Sequence, residues 1–374
     1  MARRAVRLAS IALMVFGTYN LCSLWSWQFH APDLGDRSPT RVLSSEFSHR
    51  ELRGLEQALG AAAFRNRTVI ITTLNRAWVS AGILDLFLGS FRAGQGTEPL
   101  LDHLLIVAVD KISHDLCLAI HSHCYALRTT GLDFASAKGF MTHDFIQLMW
   151  RRIYLLGVVL ELGYSFVFSD ADVMWFRDPF QHFHPDADLE MACDYYPVHH
   201  GDSAYPNCGF MHAHANNRTL QLYKYWYHAR LAFPGQPDQD VLTAAMFKDE
   251  YWDMGVKTRF LRTELFGSFC QAKHRVGEIC TMHANCCIGM HRKVKDLQLL
   301  SSDWAGYVNR SRSSHNRFRN SSFAKEAGDF RWSAPRECLA SMYKGKSVYI
   351  PVRKKKPKWW RKRSLELQQW ITSW

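Results

Sequence analysis

Short apolar runs that alternate with stretches of helical periodicity set the tightest limit on what this chain can fold into. Thr68-Val-Ile-Ile-Thr-Thr-Leu74 is rich in β-branched residues, Leu104 to Val109 is an unbroken apolar run closed by Asp110, and Tyr164 to Ser169 is a further β-prone stretch around Phe166-Val-Phe168. Between them, apolar residues recur at helical spacing over Ala81 to Phe91, Lys111 to His121 and Thr142 to Leu162. The last of these carries Met149, Ile153, Leu156 and Leu160 on one stripe and ends at Gly163. Further strands are expected near Cys124 to Leu127, Ala187 to Cys193 and Lys257 to Leu261, and helices at about Arg218 to Phe233 and Gln239 to Phe247. This order predicts an α/β fold with a mostly parallel sheet flanked by helices. Ligands of such sheets sit at the carboxyl ends of the strands, where Asp110 and Asp170 stand.

The run Phe166-Val-Phe-Ser-Asp170-Ala-Asp172-Val-Met-Trp-Phe176 places two carboxylates one residue apart at such an end. In extended backbone both would project to the same face. Paired hard oxygen donors suit Mg²⁺ or Mn²⁺, which can carry a nucleotide's diphosphate. An Asp-x-Asp pair in a loop also serves as an ordinary turn or cap, so the rest of the chain has to decide.

The net charge of +12 resembles a nucleic-acid signal until it is located. Eight of the basic residues lie between Arg353 and Arg363, a stretch with no acid, which leaves the rest of the chain at +4. The basicity belongs to a tail, and no nucleic-acid partner is expected. Near the other end, Arg3, Arg4 and Arg7 precede an uncharged apolar stretch from Leu8 to Trp27, long enough to cross a bilayer. With Asp33 and Asp36 beyond it, this reads as an uncleaved signal anchor with the amino terminus in the cytoplasm. The expected organisation is a cytoplasmic tail (1–7), a transmembrane anchor (8–27), a stem (28–66), a catalytic domain (67–308) and a C-terminal extension (309–374). Sequons at Asn66, Asn217, Asn309 and Asn320, and ten cysteines, fit an oxidising lumen. Cys117 and Cys124 form a plausible local bridge, and with Cys22 in the apolar stretch at least one other thiol is unpaired or intermolecular. Cys280, Cys286 and Cys287 crowd one segment without a Cys-x-x-Cys pair, so zinc is not expected.

Several ordered blocks between Thr68 and Trp304 resemble the plant-type nucleotide-diphospho-sugar transferase family of retaining Golgi glycosyltransferases. They are Thr68-Val-Ile-Ile-Thr-Thr-Leu-Asn75, Asp85-Leu-Phe-Leu-Gly-Ser-Phe91, Met149-Trp-Arg-Arg152, Phe168 to Arg177, Asp238-Gln-Asp-Val241 and Thr281-Met-His-Ala-Asn-Cys-Cys287. The resemblance implies a GT-A fold, a nucleotide-sugar donor, most often a UDP-sugar, and Mn²⁺ or Mg²⁺ held by Asp170, Asp172 and His283. It implies a polysaccharide or glycoprotein acceptor and a type II Golgi membrane protein with a lumenal catalytic domain. Donor-binding residues are expected at Thr73, Asn75, Asp110, Arg152 (with Arg151 as its rival), Asn207, Gly209 and Lys293. Asn207-Cys-Gly209 resembles a turn bordering the donor sugar, and Asp238, Gln239 and Asp240 resemble the block that lines the sugar pocket.

Retention requires either a carboxylate nucleophile or a front-side, ion-pair-like displacement. Asp238 or Asp240 could serve the first, and Gln239 would stabilise an oxocarbenium-like transition state in the second, which is the expected route. Two alternatives accompany this reading. One is a haloacid-dehalogenase-like phosphatase with Asp170 as nucleophile, and the other is an inactive sugar-binding relative.

Overall fold

A computed structural model of the chain describes residues 43–129, 134–136, 139, 141–195, 205–271, 274–317 and 330–344. The expected anchor (8–27), the Asn320 sequon and the basic run 353–363 lie outside the described residues. Among the described residues, no helix is long and apolar enough to cross a membrane.

In chain order, the elements that build the body start with helix α1 (His49–Ala62) and strand β1 (Thr68–Leu74). They continue with α2 (Arg76–Ser80), α3 (Ile83–Ala93), β2 (Leu104–Ala108), α4 (Lys111–Ile120), β3 (Cys124–Ala126), α5 (His143–Glu161) and β4 (Ser165–Ser169). Then come β5 (Val173–Trp175), β6 (Leu189–Tyr195), β7 (Tyr205–Ala213), α6 (Asn217–Ala229), α7 (Asp238–Ala245) and α8 (Asp249–Asp253). The series closes with β8 (Thr258–Phe260), β9 (Phe266–Ser268), β10 (Thr281–His283), α9 (Met290–Arg317) and α10 (Glu337–Lys344).

Seven strands form one sheet in the order β3-β2-β1-β4-β7-β6-β8, in which only β7 runs against the others. The mostly parallel α/β sheet expected from the sequence is therefore present. Its strands are apolar on both faces because both faces are covered. Val69, Ile71, Phe166 and Phe168 join one core with residues of α1, α5 and α6, while Ile70, Leu74 and Val167 join the other with α3 and α9. Helix α5 starts at the Thr142 cap, whose hydroxyl accepts from Phe145 N, and Gly163, at a φ of +77°, lets the chain turn back into β4.

Two boundaries differ from expectation. Helix α1 falls in the expected stem, yet Leu55, Leu59 and Ala62 are fully buried against the sheet, so this part of the stem belongs to the folded body. Helix α9 runs on past 308, and in the described part of the extension Ala334 and Cys338 are buried in the second core. A disulfide from Cys338 to Cys287 ties that segment down. The other bridges are Cys117–Cys124, as expected, and Cys270–Cys286, which leaves Cys193, Cys208 and Cys280 as buried thiols.

Candidate active site

Asp170 follows directly on the last residue of β4, but the pair does not stand on extended backbone. Residues 170–173 make a turn closed by Val173 N donating to Asp170 O (3.1 Å). The carboxylates converge through that turn, and His283 reaches them through a second, three-stranded sheet of order β5-β10-β9. β5 begins immediately after Asp172 and pairs antiparallel with β10, with His283 opposite Val173. Ala284 N donates to Asp172 O (3.0 Å), which fixes the register. Strands this short carry too little pattern to be read from sequence, which is why this sheet escaped notice.

One ligating atom from each of Asp170, Asp172 and His283 lies within 4.8 Å of the others. His283 Nε2 is 3.3 Å from Asp172 Oδ1 and 4.0 Å from Asp170 Oδ2. Asp172 Oδ1 is buried without a hydrogen-bond partner, which is costly for a carboxylate oxygen and fits a cation ligand. Two carboxylates and one imidazole are a suitable donor set for a divalent metal. Lys293 contacts Asp172 Oδ2 directly. Burial works against charge on both carboxylates, but Lys293 and His283 hold the Asp172 carboxyl well below its ordinary value. At Asp170 burial prevails and pushes the carboxyl up, although Arg152 opposes it. Burial works against protonation of His283, yet neighbouring Asp172 raises the imidazole above its usual range.

Asn207, Cys208 and Gly209 lie within β7, not in a turn. Pro206, Asn207 and Gly209 are poor strand formers, so the segment reads as a loop, but both of its faces are buried and it pairs with β4 and β6. Asp170 N donates to Gly209 O (2.7 Å), and Gly209 N donates to Asn207 Oδ1 (2.8 Å). A Cβ on Gly209 would stand 2.4 Å from His283 Cε1, 2.6 Å from Asp170 Oδ2 and 2.9 Å from Asn207 Oδ1. All three are side-chain atoms, two of them of the cluster and the third of Asn207, so Gly209→Ala should disturb the site more than the fold. Metal affinity is expected to fall by about 10–100-fold, as for other residues that support ligands. A calorimetric Mn²⁺ titration checks this, and an unchanged affinity would refute the steric argument.

The sequence reading missed Asp194, near the end of β6. Its Oδ1 accepts from Asn207 Nδ2 (2.7 Å) and Asn285 Nδ2 (2.6 Å), and its Oδ2 lies 3.4 Å from Gln239 Nε2. Gln239 Oε1 in turn accepts from Cys208 N (3.1 Å). One carboxylate thus orients three amides beside the metal cluster. Burial pushes its own carboxyl up, and nearby His283 and the three amides pull it back only in part. No motif marks Asp194; only its place at a strand end could have drawn attention to it.

The other expected site residues stand in the elements around the cluster. Arg152 is buried and bridges Asp170 Oδ1 (3.0 Å) and Asp238 Oδ2 (2.6 Å), while Arg151 donates to Arg128 O (2.9 Å). Asp238 is therefore committed to Arg152. Asp240 lies in the first turn of α7, its carboxyl pushed up by burial and by the charge of Asp238. Asn75 caps α2 and donates to Phe134 O (2.9 Å). Asp110 caps α4 and accepts from Arg76 N (2.7 Å). Thr73 sits half-buried in β1, opposite Val107. A cavity of about 470 Å³ opens at the carboxyl ends of β2 and β3, lined by Asp110, His114, Leu127 and Arg128 among others, but by none of the metal-cluster residues.

The sequence pattern of the nucleotide-diphospho-sugar transferase family matches residues 99–297, more than half of the chain. Over 305 residues the chain is 39% identical to Uncharacterized protein At4g15970 of Arabidopsis thaliana, covering 80% of this chain and 78% of that protein. UDP-D-xylose:L-fucose alpha-1,3-D-xylosyltransferase MGP4 of the same organism is 27% identical over 146 residues, 39% of this chain and 38% of its own. The solved structure of the glycosyltransferase GlyE from Streptococcus pneumoniae overlaps 67% of this chain and 64% of its own, a little under two thirds, at 11% identity and a TM-score of 0.39. The sequence matches displace the phosphatase alternative: the chain belongs to the nucleotide-diphospho-sugar transferase family, a family of glycosyltransferases.

Proposed function

We propose that this chain is a retaining, metal-dependent glycosyltransferase of the GT-A type, anchored in the Golgi membrane with its catalytic domain in the lumen. It moves a sugar from a nucleotide diphosphate sugar, a UDP-pentose or UDP-galactose, to a cell-wall polysaccharide or glycoprotein. The observation that carries the reading is the Asp170–Asp172–His283 cluster at the carboxyl end of the sheet, joined through Gly209 and Asn207 to the Asp194–Gln239 pair. The xylosyl donor in the name of the MGP4 relative supports a UDP-pentose. The disulfides and the apolar stretch at 8–27 support the lumenal address.

Asp170, Asp172 and His283 would hold Mn²⁺, which when bound neutralises charge on the donor diphosphate. The cavity beside Asp110 falls in the size range of small-ligand pockets and would take the nucleoside. Lys293 would exchange part of its contact with Asp172 for the leaving diphosphate, acting as a point charge. Gln239 is held at both ends of its amide, so its dipole is preorganised beside the reacting carbon. Asp238 is spent on Arg152 and is poorly placed to act as a nucleophile, which favours front-side displacement. The acceptor hydroxyl then gives its proton to the departing diphosphate oxygen.

Incubating the protein with a panel of UDP-sugars and Mn²⁺ should release UDP from one or two donors. Donor binding without UDP release would instead identify an inactive sugar-binding relative. Gln239→Ala is expected to lower kcat by about 10²–10³-fold, the usual cost of losing one preorganised transition-state contact. Asp240→Asn should keep near-full turnover; a loss comparable to that of Gln239→Ala would restore Asp240 as the nucleophile.

A further inference from the structure

Two of the sequons lie at the pole of the molecule opposite the donor site. Asn66 immediately precedes Arg67 and the start of β1, and Asn217 is the first residue of α6, just after β7 has run antiparallel to the sheet's amino end. Both segments are stitched to Ser165, the first residue of β4. Ser165 N donates to Arg67 O (3.0 Å), and Ala215 N donates to Ser165 Oγ (3.0 Å). The metal cluster begins after the last residue of the same strand, about 16 Å away at the usual rise per residue. Attachments on Asn66 or Asn217 would leave the catalytic end open.

The two asparagines are exposed; Asn66 Oδ1 accepts from Thr68 N (3.2 Å), which leaves its Nδ2 as the atom for attachment, and at Asn217 the neighbouring residues carry the structural work. At the start of α6 it is Asn216 that accepts from Arg218 N and Thr219 N and donates to Asp188 (2.9 Å). Asn217, one residue on, has no part in that cap. Arg218 pairs with Asp188, and Arg67 donates to Gly163 O and Leu162 O. The sequon hydroxyl residues are buried: Thr68 opens β1, and Thr219 Oγ1 donates to His214 O (2.5 Å). A buried hydroxyl cannot present the sequon to a transferase, so a modification here has to precede folding. That order belongs to a chain modified as it enters the secretory lumen, and the disulfides Cys117–Cys124, Cys270–Cys286 and Cys287–Cys338 agree with that compartment.

We infer that Asn66 and Asn217 are paired N-glycosylation sites, which place two glycans on the pole remote from the donor site. Each bond forms between the asparagine Nδ2 and the reducing-end carbon of a glycan carried on a lipid diphosphate, which leaves with the proton balance met by the amide hydrogen. The test uses the full-length chain produced in a eukaryotic secretory host alongside a known secreted glycoprotein. Enzymatic release of N-glycans in ¹⁸O-water followed by peptide mass spectrometry should convert Asn66 and Asn217 to labelled aspartate. Asn66→Gln and Asn217→Gln should each remove one step of gel mobility, and the double variant should keep the UDP release of the unsubstituted protein. Unlabelled asparagine at both positions, with the control glycoprotein labelled, would overturn the inference even if a variant failed to fold. The readout does not involve donor chemistry, so it can fail or succeed independently of the proposed transferase activity.

Discussion

Asp172→Ala is expected to abolish Mn²⁺-dependent UDP release, with a loss of about 10³-fold or more in kcat/KM. A metal that stabilises transition-state charge supplies several kcal/mol, and roughly 4 kcal/mol already corresponds to about three orders of magnitude. Asp172 is the better choice of the two aspartates because it is buried at the centre of the cluster. Its Oδ1 faces His283 at 3.3 Å, and its Oδ2 carries Lys293. Removing it leaves two cationic or protonatable groups facing each other where a third cation would have to bind. The substitution should therefore weaken metal binding as well as turnover, and both can be measured on one preparation by Mn²⁺ calorimetry and UDP release. Lys293→Ala separates the two effects. It removes a competitor of the metal for Asp172 and a partner of the diphosphate together, so it should lower turnover while sparing or tightening metal affinity. An Asp172→Ala protein that still releases UDP on addition of Mn²⁺ would end the metal-site reading.

Much of this site could be read from the sequence, and the parts that could not share a physical cause. The strands β1, β2 and β4 are largely buried on both faces and appear as runs of apolar and β-branched residues, so the sheet and its carboxyl end were visible in advance. The residues Asp170, Asp172 and His283 were also visible, the last only through the resemblance of its surrounding block. What stayed hidden depends on pairing between distant segments. β7 contains Pro206, Asn207 and Gly209, and its burial between β4 and β6 overrides their local preference. β5, β9 and β10 are three residues each, too short for any periodicity, yet they carry His283 to the aspartates. Asp194 has no motif at all; its importance comes from Asn207, Asn285 and Gln239, which belong to other elements. Asn75 and Asp110, expected at the donor from the resemblance, also cap α2 and α4, a second role set by the fold, and Asp110 lines the cavity.

Arg152→Met is expected to cost about 3–5 kcal/mol of stability, because it breaks a buried ion pair from one side. The guanidinium is 5% exposed and joins Asp170 on the β4 turn to Asp238 at the start of α7, so its loss strands a carboxylate that is 3% exposed. For a domain of this size that corresponds to a fall in Tm of roughly 6–15 °C, readable by calorimetry. Arg152→Lys should recover only part of this, since a single ammonium lacks the planar fork that reaches both carboxylates. The second substitution decides the interpretation. If Asp238 matters as the partner of Arg152, then adding Asp238→Leu to Arg152→Met removes the uncompensated charge and should restore a large share of the lost stability, because a buried pair replaced on both sides by apolar groups is often close to neutral. If Arg152 instead bound the donor's ribose or phosphate directly, Arg152→Met would raise the donor KM with little change in Tm, and the double variant would rescue nothing. The bridge ties the metal turn to the helix that carries Gln239, so the destabilised single variant should also lose turnover, while the double variant should regain stability without regaining activity.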